Sequence, residues 1–266
     1  MKIPVCYDET CSISNEFISL SKPGKVMQAI SGEPQHWQRV EIEPADYRKL
    51  PHEPKFVEDV YHHRLPNGFG NDSPVVLEQV MWANGAMETA ALIALNRGVA
   101  FAPASGFHHA GWDFNGGYCT FNGLVLAAET ALAENCGSVL ILDFDGHYGN
   151  GTESCLSKLK DTRITHLTRT KGFSDDPEQA TKAALAAIGQ LPGLVLLQAG
   201  ADSWEGDPYG AGYFSYEQWV ERDKKIFRAC KALDVPIAWN LAGGYADKQT
   251  VMLHYKTFRS AVEVWG

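Results

Sequence analysis

The chain has 266 residues, of which 45% are hydrophobic, and it carries a formal net charge of −9. This length is enough for one large core and no Pro/Gly/Ser-rich linker divides it, so we predict a single domain over residues 1–266. The negative charge argues against a nucleic-acid-binding protein, because phosphate recognition requires a basic surface. A membrane protein is also disfavoured, since no stretch approaches the roughly 18 to 20 consecutive apolar residues that a membrane span requires.

The opening residues and the cysteines predict a cytoplasmic location. The segment M-K-I-P-V-C-Y-D lacks the apolar core of a signal peptide. Six cysteines are scattered along the chain without C-x-x-C spacing. This distribution disfavours both a disulfide framework and a zinc site made of cysteines, and it is typical of a reducing compartment.

The first third of the chain predicts a strand, a region of short helices and then one long helix. We expect the strand at Lys2–Tyr7, and residues 20–70, rich in proline, histidine and aromatic residues, as short helices joined by loops. Asp72-Ser73-Pro74 is a good helix start, because a capping side chain precedes a proline at the first helical position. This helix is expected to run toward Asn96 and to end before Gly98, with a bend at Gly85 as an open alternative.

From residue 99 onward, short apolar strands alternate with helices. The predicted strands are Val99–Ala102, Val139–Leu142, Arg163–Leu167, Leu194–Gln198 and Ile237–Leu241. The predicted helices are Leu124–Glu134, Glu153–Leu159, Pro177–Ile188, one that begins with a capping box at Ser215 and Gln218 and runs to about Leu233, and a last one that begins at Asp247. Such alternation is typical of an α/β protein. We therefore predict three α/β/α layers around a central, mostly parallel sheet.

Four of these strands lead into unusual polar or glycine-rich sequence. The segments contain His108-His109, then D-F-D-G-H over Asp143–His147, then Asp202, and finally Gly244-Tyr245. Because the carboxyl ends of parallel strands share one edge of the sheet, these segments can converge. We predict a single site at that edge.

The acidic residues and the histidine of this site predict a metal centre. Carboxylates that lie close together repel each other unless they are protonated, hydrogen-bonded or bridged by a cation. Asp145, His147 and Asp202 supply two oxygens and one nitrogen, and three protein ligands with one position left open are expected of a catalytic zinc site. Zinc would lower the pKa of a bound water to about 7 and polarise a carbonyl oxygen.

The remaining residues predict proton transfer and stabilisation of an oxyanion. An imidazole of the pair His108-His109 can take a proton from water and hand one to a leaving amine. Tyr245 offers a phenol that could hydrogen-bond to a developing oxyanion. Each motif alone also fits a surface dipeptide, a helix cap or a turn, but four of them at predicted strand ends favour metal-assisted hydrolysis of an amide.

In combination, these motifs resemble the histone deacetylase family, which has the arginase/deacetylase fold. The matching pieces, in the family's order, are G-F-H-H-A with G-G-Y-C-T-F-N-G, then D-F-D-G-H-Y-G-N-G-T-E, Q-A-G-A-D-S-W-E-G-D-P and A-G-G-Y. They cover roughly Pro103 to Tyr245, whereas the N-terminal third matches weakly, at P-H-E-P-K-F-V and P-G-K-V. The resemblance implies a zinc-dependent amidohydrolase that removes an acyl group, expected to be acetyl, from acyl-lysine or a small acetylated amine.

The resemblance also implies a role for each residue of the site. One Zn²⁺ ion would be bound by Asp145, His147 and Asp202. The residues that transfer protons, orient those residues or stabilise the transition state would be His109 as general base and acid, His108 as its partner, Asp143, Asn150 and Tyr245. The residues that contact the substrate would be Gly117 through its carbonyl, Tyr118 and Phe173 as opposite tunnel walls, and Tyr209.

Some positions depart from the family pattern. Tyr209 stands where lysine deacetylases have Leu or Met and a polyamine-specific branch has Glu, which tells against glutamate-based polyamine selection and suggests a reshaped tunnel. Tyr148 replaces a second histidine that is not a ligand, so catalysis should survive. His166 stands at the place of a serine that helps to bind potassium, which leaves K⁺ binding open. L-S-K-P-G-K replaces the customary His-Pro-x-x-Pro segment, and its Lys25 is a candidate for an internal-channel arginine.

Two other functions stay open. A ureohydrolase-like enzyme with two manganese ions would need a further histidine and carboxylate; Asp143 and Asp207 could be recruited, but no A-H-x-D spacing is found. A non-catalytic acyl-lysine binding module would be favoured by the loss of a metal ligand, His109 or Tyr245, and none is lost. The expected partner is a small or peptidyl acylated amine, and the sequence does not predict an oligomeric state.

Overall fold

A parallel β-sheet forms the centre of the molecule. In a computed structural model of the chain, residues 1–210 and 212–266 are described, and within them eight strands form the sheet. They are β1 Ile3–Cys6, β2 Trp37–Val40, β3 Val99–Phe101, β4 Val139–Asp143, β5 Ile164–Arg169, β6 Gly172–Phe173, β7 Leu194–Gln198 and β8 Ile237–Asn240. Their order is β2-β1-β3-β8-β7-β4-β5-β6 and every neighbouring pair is parallel.

Helices cover the sheet in two groups. They are α1 Ile18–Ile30, α2 Pro54–Tyr61, α3 Pro74–Arg97, α4 Gly123–Ala133, α5 Asn150–Leu159, α6 Pro177–Ile188, α7 Tyr216–Ala232 and α8 Lys248–Trp265. Helices α1, α8, α7 and α6 pack in succession, and α3, α4 and α5 form a separate succession. The predicted three-layer α/β fold is confirmed. Over the described part of the chain, no helix combines the length and apolarity needed to cross a membrane.

Local sequence explains the ends of the longest helix. The Ser73 hydroxyl accepts a hydrogen bond from the Val76 N–H, Pro74 occupies the first turn, and Gly98 ends α3 with φ of +82°. The helix continues through Gly85, where a Cβ atom would lie 1.9 Å from the Glu43 carbonyl oxygen. Gly85 therefore permits close packing of a neighbouring loop and does not end the helix.

Helix α5 begins three residues before its predicted start, and this extension fixes the loop that carries His108. The backbone N–H groups of Gly151 and Thr152 donate to the His108 carbonyl oxygen at 2.8 and 3.0 Å. The first N–H groups of a helix have no partner inside the helix, so this carbonyl satisfies two of them. A tertiary contact thus explains the early start.

Two strands were missed by the sequence analysis. Strand β2 lies in residues 20–70, which were predicted as helices and loops, and β6 contains only two residues. Both lie at the edges of the sheet. Edge strands are half-exposed and short, so they lack the continuous apolar run that marked β4 and β7.

His52 is a buried histidine that supports the loop before the site. Its Nδ1–H donates to the Gly111 carbonyl oxygen at 2.6 Å, and its Nε2 accepts from the Asn122 N–H at 2.9 Å. Both contacts require the neutral ring. Burial lowers the pKa of His52 to about 4, outweighing the hydrogen bond to Gly111, which acts in the opposite direction.

This depressed pKa predicts a loss of stability in acid. The unfolded chain binds a proton on His52 near pH 6.5 and the folded chain only near pH 4, so stability falls as the pH drops through this window. The expected loss from this group is about 2 kcal/mol at pH 5 relative to pH 7.5. Urea unfolding of wild type and of His52→Gln at both pH values gives the change in the free energy of unfolding with pH for each protein. The contribution of His52 is the difference between these two changes. An equal pH dependence in both would contradict the prediction, and His62→Gln, at an exposed site, serves as the control.

Candidate active site

The predicted site residues follow four strands that are neighbours in the sheet. Strands β3, β8, β7 and β4 are adjacent in that order. Asp143 is the last residue of β4, Asp202 lies in the short 3₁₀ turn Ala201–Ser203 after β7, and Tyr245 follows β8. Since all four strands are parallel, their carboxyl ends share one edge, and the structure brings the four segments together there.

Three side chains meet in a geometry that could hold a metal ion. Ligand atoms of Asp145, His147 and Asp202 all lie within 4.8 Å of one another. His147 Nδ1 is 3.2 Å from Asp145 Oδ1 and 3.1 Å from Asp202 Oδ2. The two carboxylates are buried, whereas the His147 side chain is 42% exposed. One side of this group therefore faces the open part of the site.

Backbone groups hold the two carboxylates in place. The Gly243 N–H donates to Asp145 Oδ2 and the Gly146 N–H donates to Asp202 Oδ1, both at 2.9 Å. A Cβ atom on Gly243 would lie 2.3 Å from Asp202 Oδ2. Glycine at this position thus allows the backbone of the A-G-G-Y segment to approach the two acids closely.

The electrostatics of the group favour a cation. Burial and the neighbouring charge of Asp145 raise the pKa of Asp202 to about 7. Hydrogen bonds to Asp145 and Asp202 raise the pKa of His147 to about 10. Both shifts express an excess of negative charge that a proton or a metal ion can neutralise, so protons and metal ions compete for this site. The donor set fits zinc, which accepts carboxylate oxygens and imidazole nitrogens.

The histidine pair lies beside the metal candidate, and each ring has its own partner. His108 Nδ1–H donates to Asp143 Oδ2 at 2.7 Å, and His109 Nδ1–H donates to Asn150 Oδ1 at 2.6 Å. The two ring centroids are 4.0 Å apart. The structure therefore places Asp143 and Asn150 where they can orient the two imidazoles, as the sequence predicts.

The two imidazoles differ in their affinity for a proton. Burial lowers the pKa of His108, but the charges of Asp143 and Asp145 outweigh burial and raise it to about 9. Burial and the neighbouring His108 lower the pKa of His109 below its usual range. Groups whose environments push their pKa values apart can serve as acid and base at one pH. His109, neutral near pH 7, is the ring available to accept a proton.

Asp143 is held by more groups than the sequence analysis foresaw. Gln198 Nε2–H donates to Asp143 Oδ1 at 2.8 Å, and the Thr168 hydroxyl lies 3.4 Å from Asp143 Oδ2. Thr168 is the register partner of Asp143 on β5, whereas His166 pairs with Ile141. The hydroxyl beside Asp143 therefore belongs to Thr168. His166, which the resemblance places at the family's serine position, brings no hydroxyl but points its Nε2 at Asp143 Oδ2 from 3.6 Å.

The backbone around Tyr245 is fixed by two groups that the sequence analysis did not assign to it. The Tyr245 N–H donates to Asp207 Oδ2 at 2.6 Å, and the Lys22 ammonium donates to the Ala242 carbonyl oxygen. Lys22 is 1% exposed, and burial lowers its pKa to about 8 although Asp202 and Asp145 act to raise it. Lys25, the sequence candidate for the channel cation, instead pairs with Asp247 on the surface at 2.6 Å.

Three tyrosine rings line the mouth of the site. The Tyr118 and Tyr209 rings lie 5.9 and 5.4 Å from the Tyr245 ring, measured between centroids. Tyr209 is 70% exposed. The pocket behind them is lined by residues that include His108, His109, Gly117, Asp145 and Tyr245.

Gly117 has φ of +54°, and a Cβ atom there would lie 2.6 Å from the His109 ring. Only glycine therefore fits at this point beside the histidine pair.

Phe173 does not join this group. It is 3% exposed, and its ring stacks on Phe144 at 4.3 Å between centroids. Its position in the core beside β4 corrects the prediction of a tunnel wall opposite Tyr118. The side of the site next to His147 consequently has no aromatic wall from Phe173.

The residues that the manganese alternative would recruit are engaged elsewhere. Asp207 accepts hydrogen bonds from the backbone of Tyr209, Gly210 and Tyr245. Asp143 is bonded to His108 and Gln198. Within residues 1–210 and 212–266, one group of three ligand residues is found. The geometry thus favours a single metal ion.

Comparison with known proteins connects this geometry to a family. A family model described as histone deacetylase domain matches residues 40–174, half of the chain. Histone deacetylase 2 of Arabidopsis thaliana is 30% identical over 182 residues, which cover 59% of this chain and 46% of that protein. Acetylpolyamine amidohydrolase 1 of Pseudomonas aeruginosa is 25% identical over 171 residues, which cover 52% of this chain and 48% of that protein.

A solved structure agrees with the fold. Acetylpolyamine aminohydrolase of Burkholderia pseudomallei superposes with a TM-score of 0.74 at 15% identity, covering 98% of each chain. At this identity the likeness shows the fold alone. The match spans about half the length of the two curated relatives named above. The family model, the motifs and the shared fold agree, and the chain belongs to the histone deacetylase domain family.

Proposed function

We propose that the protein is a zinc-dependent amidohydrolase that removes an acyl group, expected to be acetyl, from an acylated amine. The observation that carries this proposal is that the Asp145–His147–Asp202 group lies against the His108–His109 pair. His108 Nε2 is 3.4 Å from Asp145 Oδ1, and the ring centroids of His109 and His147 are 6.0 Å apart. A metal-binding group alone would also fit a structural ion. A neutral imidazole beside that group, with its own orienting amide, is what hydrolysis requires.

The residues of the chain would divide the chemistry between them. A zinc ion held by Asp145, His147 and Asp202 would supply a Lewis acid for the acyl carbonyl and favour deprotonation of water. His109 would take the proton from water through Nε2, because its Nδ1–H is committed to Asn150. The same ring would then give the proton to the leaving amine. His108, kept protonated by Asp143, would hold positive charge beside the reacting atoms.

Tyr245 would stabilise the oxyanion as a neutral hydrogen-bond donor. Burial, with the charges of Asp145 and Asp202, raises the pKa of Tyr245 well above its usual range. The phenol is therefore neutral near pH 7. A donor that is fixed before the reaction stabilises developing charge without reorganisation.

We propose small or peptidyl acylated amines as substrates. Relatives of this chain are named as histone deacetylases and acetylpolyamine amidohydrolases, so both kinds of amine belong in the test. Tyr209 is exposed at the mouth and Phe173 is absent from it, which supports a site open on one side that admits amines of different bulk.

Location and potassium binding stay proposals. The six cysteines are buried free thiols, which supports a reducing, cytoplasmic compartment. A K⁺ ion near Asp143 is supported only by the Thr168 hydroxyl. Comparing turnover in K⁺ with turnover in tetramethylammonium, each as the only monovalent cation, would test potassium binding.

A hydrolysis screen tests the proposed function. Purified protein is incubated with acetyl-lysine peptides, longer acyl-lysine peptides and acetylpolyamines, and the free amine is measured. We expect release from at least one class, its loss after treatment with a chelator, and its return on addition of zinc. Release that persists after complete metal removal would contradict the proposal. Binding of acyl-lysine without release would favour the binding-module alternative.

A further inference from the structure

His166 is a buried histidine that the proposed reaction does not use. It lies on β5 with a fully buried side chain. Its Nδ1 is 2.6 Å from Glu153 Oε1 on α5. Its Nε2 points at Asp143 Oδ2 from 3.6 Å and has no closer hydrogen-bond partner among the described residues. The ring therefore bridges the carboxylate of Glu153, whose side chain is 19% exposed, and the buried carboxylate that holds His108.

The two carboxylates decide the protonation of this ring. A neutral imidazole has one N–H donor and one lone pair. Between two carboxylates, either neutral tautomer would turn its lone pair toward an anion, whereas the imidazolium presents an N–H to each. Burial lowers the pKa of His166, but the two neighbouring carboxylates, Asp143 and Glu153, outweigh burial and raise it above its usual value.

We propose that His166 is a positioning residue that holds a fixed positive charge behind the Asp143–His108 pair. It faces the same oxygen, Asp143 Oδ2, that accepts the hydrogen bond from His108. The space is closed by Gly149, where a Cβ atom would lie 2.6 Å from Asp143 Oδ2 and 2.9 Å from the His166 ring. The charge thus attracts Asp143 Oδ2 from behind and holds the carboxylate aimed at His108. This inference rests on the proposed function.

The role differs from that of an ordinary core histidine. A residue that only fills space would lower stability when replaced and leave the turnover of the folded protein unchanged. A residue that acts through Asp143 and His108 should lower kcat without changing substrate affinity. Partners that orient catalytic groups from behind typically contribute about 10- to 100-fold to activity.

The first test is the charge itself. Long-range proton–nitrogen correlation spectra of the ¹⁵N-histidine-labelled full-length protein at pH 7.5 report the protonation of each ring nitrogen. The His166 signals are assigned by their absence in His166→Gln. We expect both ring nitrogens of His166 to be protonated. A singly protonated, neutral ring would overturn the proposal.

The second test is kinetic and uses three variants. His166→Gln keeps a polar side chain without charge, and we expect kcat to fall about 10- to 100-fold while KM and metal content stay within twofold. Glu153→Gln, at the end of the bridge nearer to solvent, should also lower kcat. Lys171→Met removes the surface cation that pairs with Glu153 and serves as the matched control, with turnover unchanged. Wild-type kcat in a folded, metal-loaded His166→Gln would overturn the proposal.

The failures of the two proposals can be told apart. If His166→Gln does not fold, Glu153→Gln decides the role of His166, and wild-type kcat in that variant would overturn the proposal. If wild type hydrolyses no acylated amine, the proposed function fails, whereas the spectra still decide the charge on His166.

Discussion

Tyr245→Phe is expected to lower kcat by about 10²- to 10³-fold, the loss typical of removing one donor to an oxyanion. Among the described residues the Tyr245 phenol forms no hydrogen bond that the substitution would remove, and its backbone N–H would still donate to Asp207. Metal content and thermal stability should therefore stay close to wild type. Steady-state kinetics and elemental analysis of the same preparation measure both quantities.

A matched tyrosine controls this experiment. Tyr148 lies next to His147 in sequence but is 40% exposed. Tyr148→Phe is expected to keep wild-type turnover, since Tyr148 is not one of the proposed metal ligands. Normal turnover in Tyr245→Phe would remove Tyr245 from the mechanism, and a joint loss of metal and activity would show that the side chain supports the site and does not act on the substrate.

Asp202→Asn is expected to abolish both metal binding and turnover. The substitution keeps the shape of the side chain but removes one of two buried charges that face His147. Loss of a direct ligand should exceed the roughly 10- to 100-fold decrease in affinity that outer partners cause. Elemental analysis after dialysis against a metal buffer measures the affinity, and acetate or amine release measures the turnover.

The same variant makes a second, opposite prediction for stability. The pKa of Asp202 is raised by burial and by Asp145, so its charge is unfavourable in the fold without a cation. The metal-free variant should melt no lower than metal-free wild type, whereas added zinc should raise the melting temperature of wild type alone. Asp161→Asn, which removes a carboxylate that is 25% exposed and pairs with Arg163, is the control. A variant that binds zinc and turns over normally would contradict the assignment.

The sequence predicted the part of the fold that positions the site. Strands β4 and β7 are buried along their whole length, so their apolar runs and the polar residues at their ends were readable. Helix α3 was equally predictable, because Ser73 and Pro74 are typical of a helix start and Gly98 is typical of a helix end. Since parallel strands share one edge, the meeting of Asp143, Asp202 and Tyr245 followed from the order of motifs alone.

The remaining contacts depend on pairs that are distant in sequence. L-S-K-P-G-K contains two lysines, and nothing local distinguishes Lys22, buried against Ala242, from Lys25 on the surface. The register of β5 against β4 places the Thr168 hydroxyl 3.4 Å from Asp143 Oδ2, which the local sequence does not indicate. The resemblance placed Phe173 in a tunnel wall, but stacking on Phe144 places it in the core.

The central claim is that one zinc ion at Asp145, His147 and Asp202 makes this chain an amidohydrolase. Its most direct test is a titration of metal-free wild-type protein with zinc, in which the initial rate of amine release from the best substrate of the screen is measured at each addition. We predict a linear rise that reaches a plateau at one equivalent of zinc per chain. A plateau at two equivalents, a requirement for manganese, or no rate at any zinc content would contradict the claim.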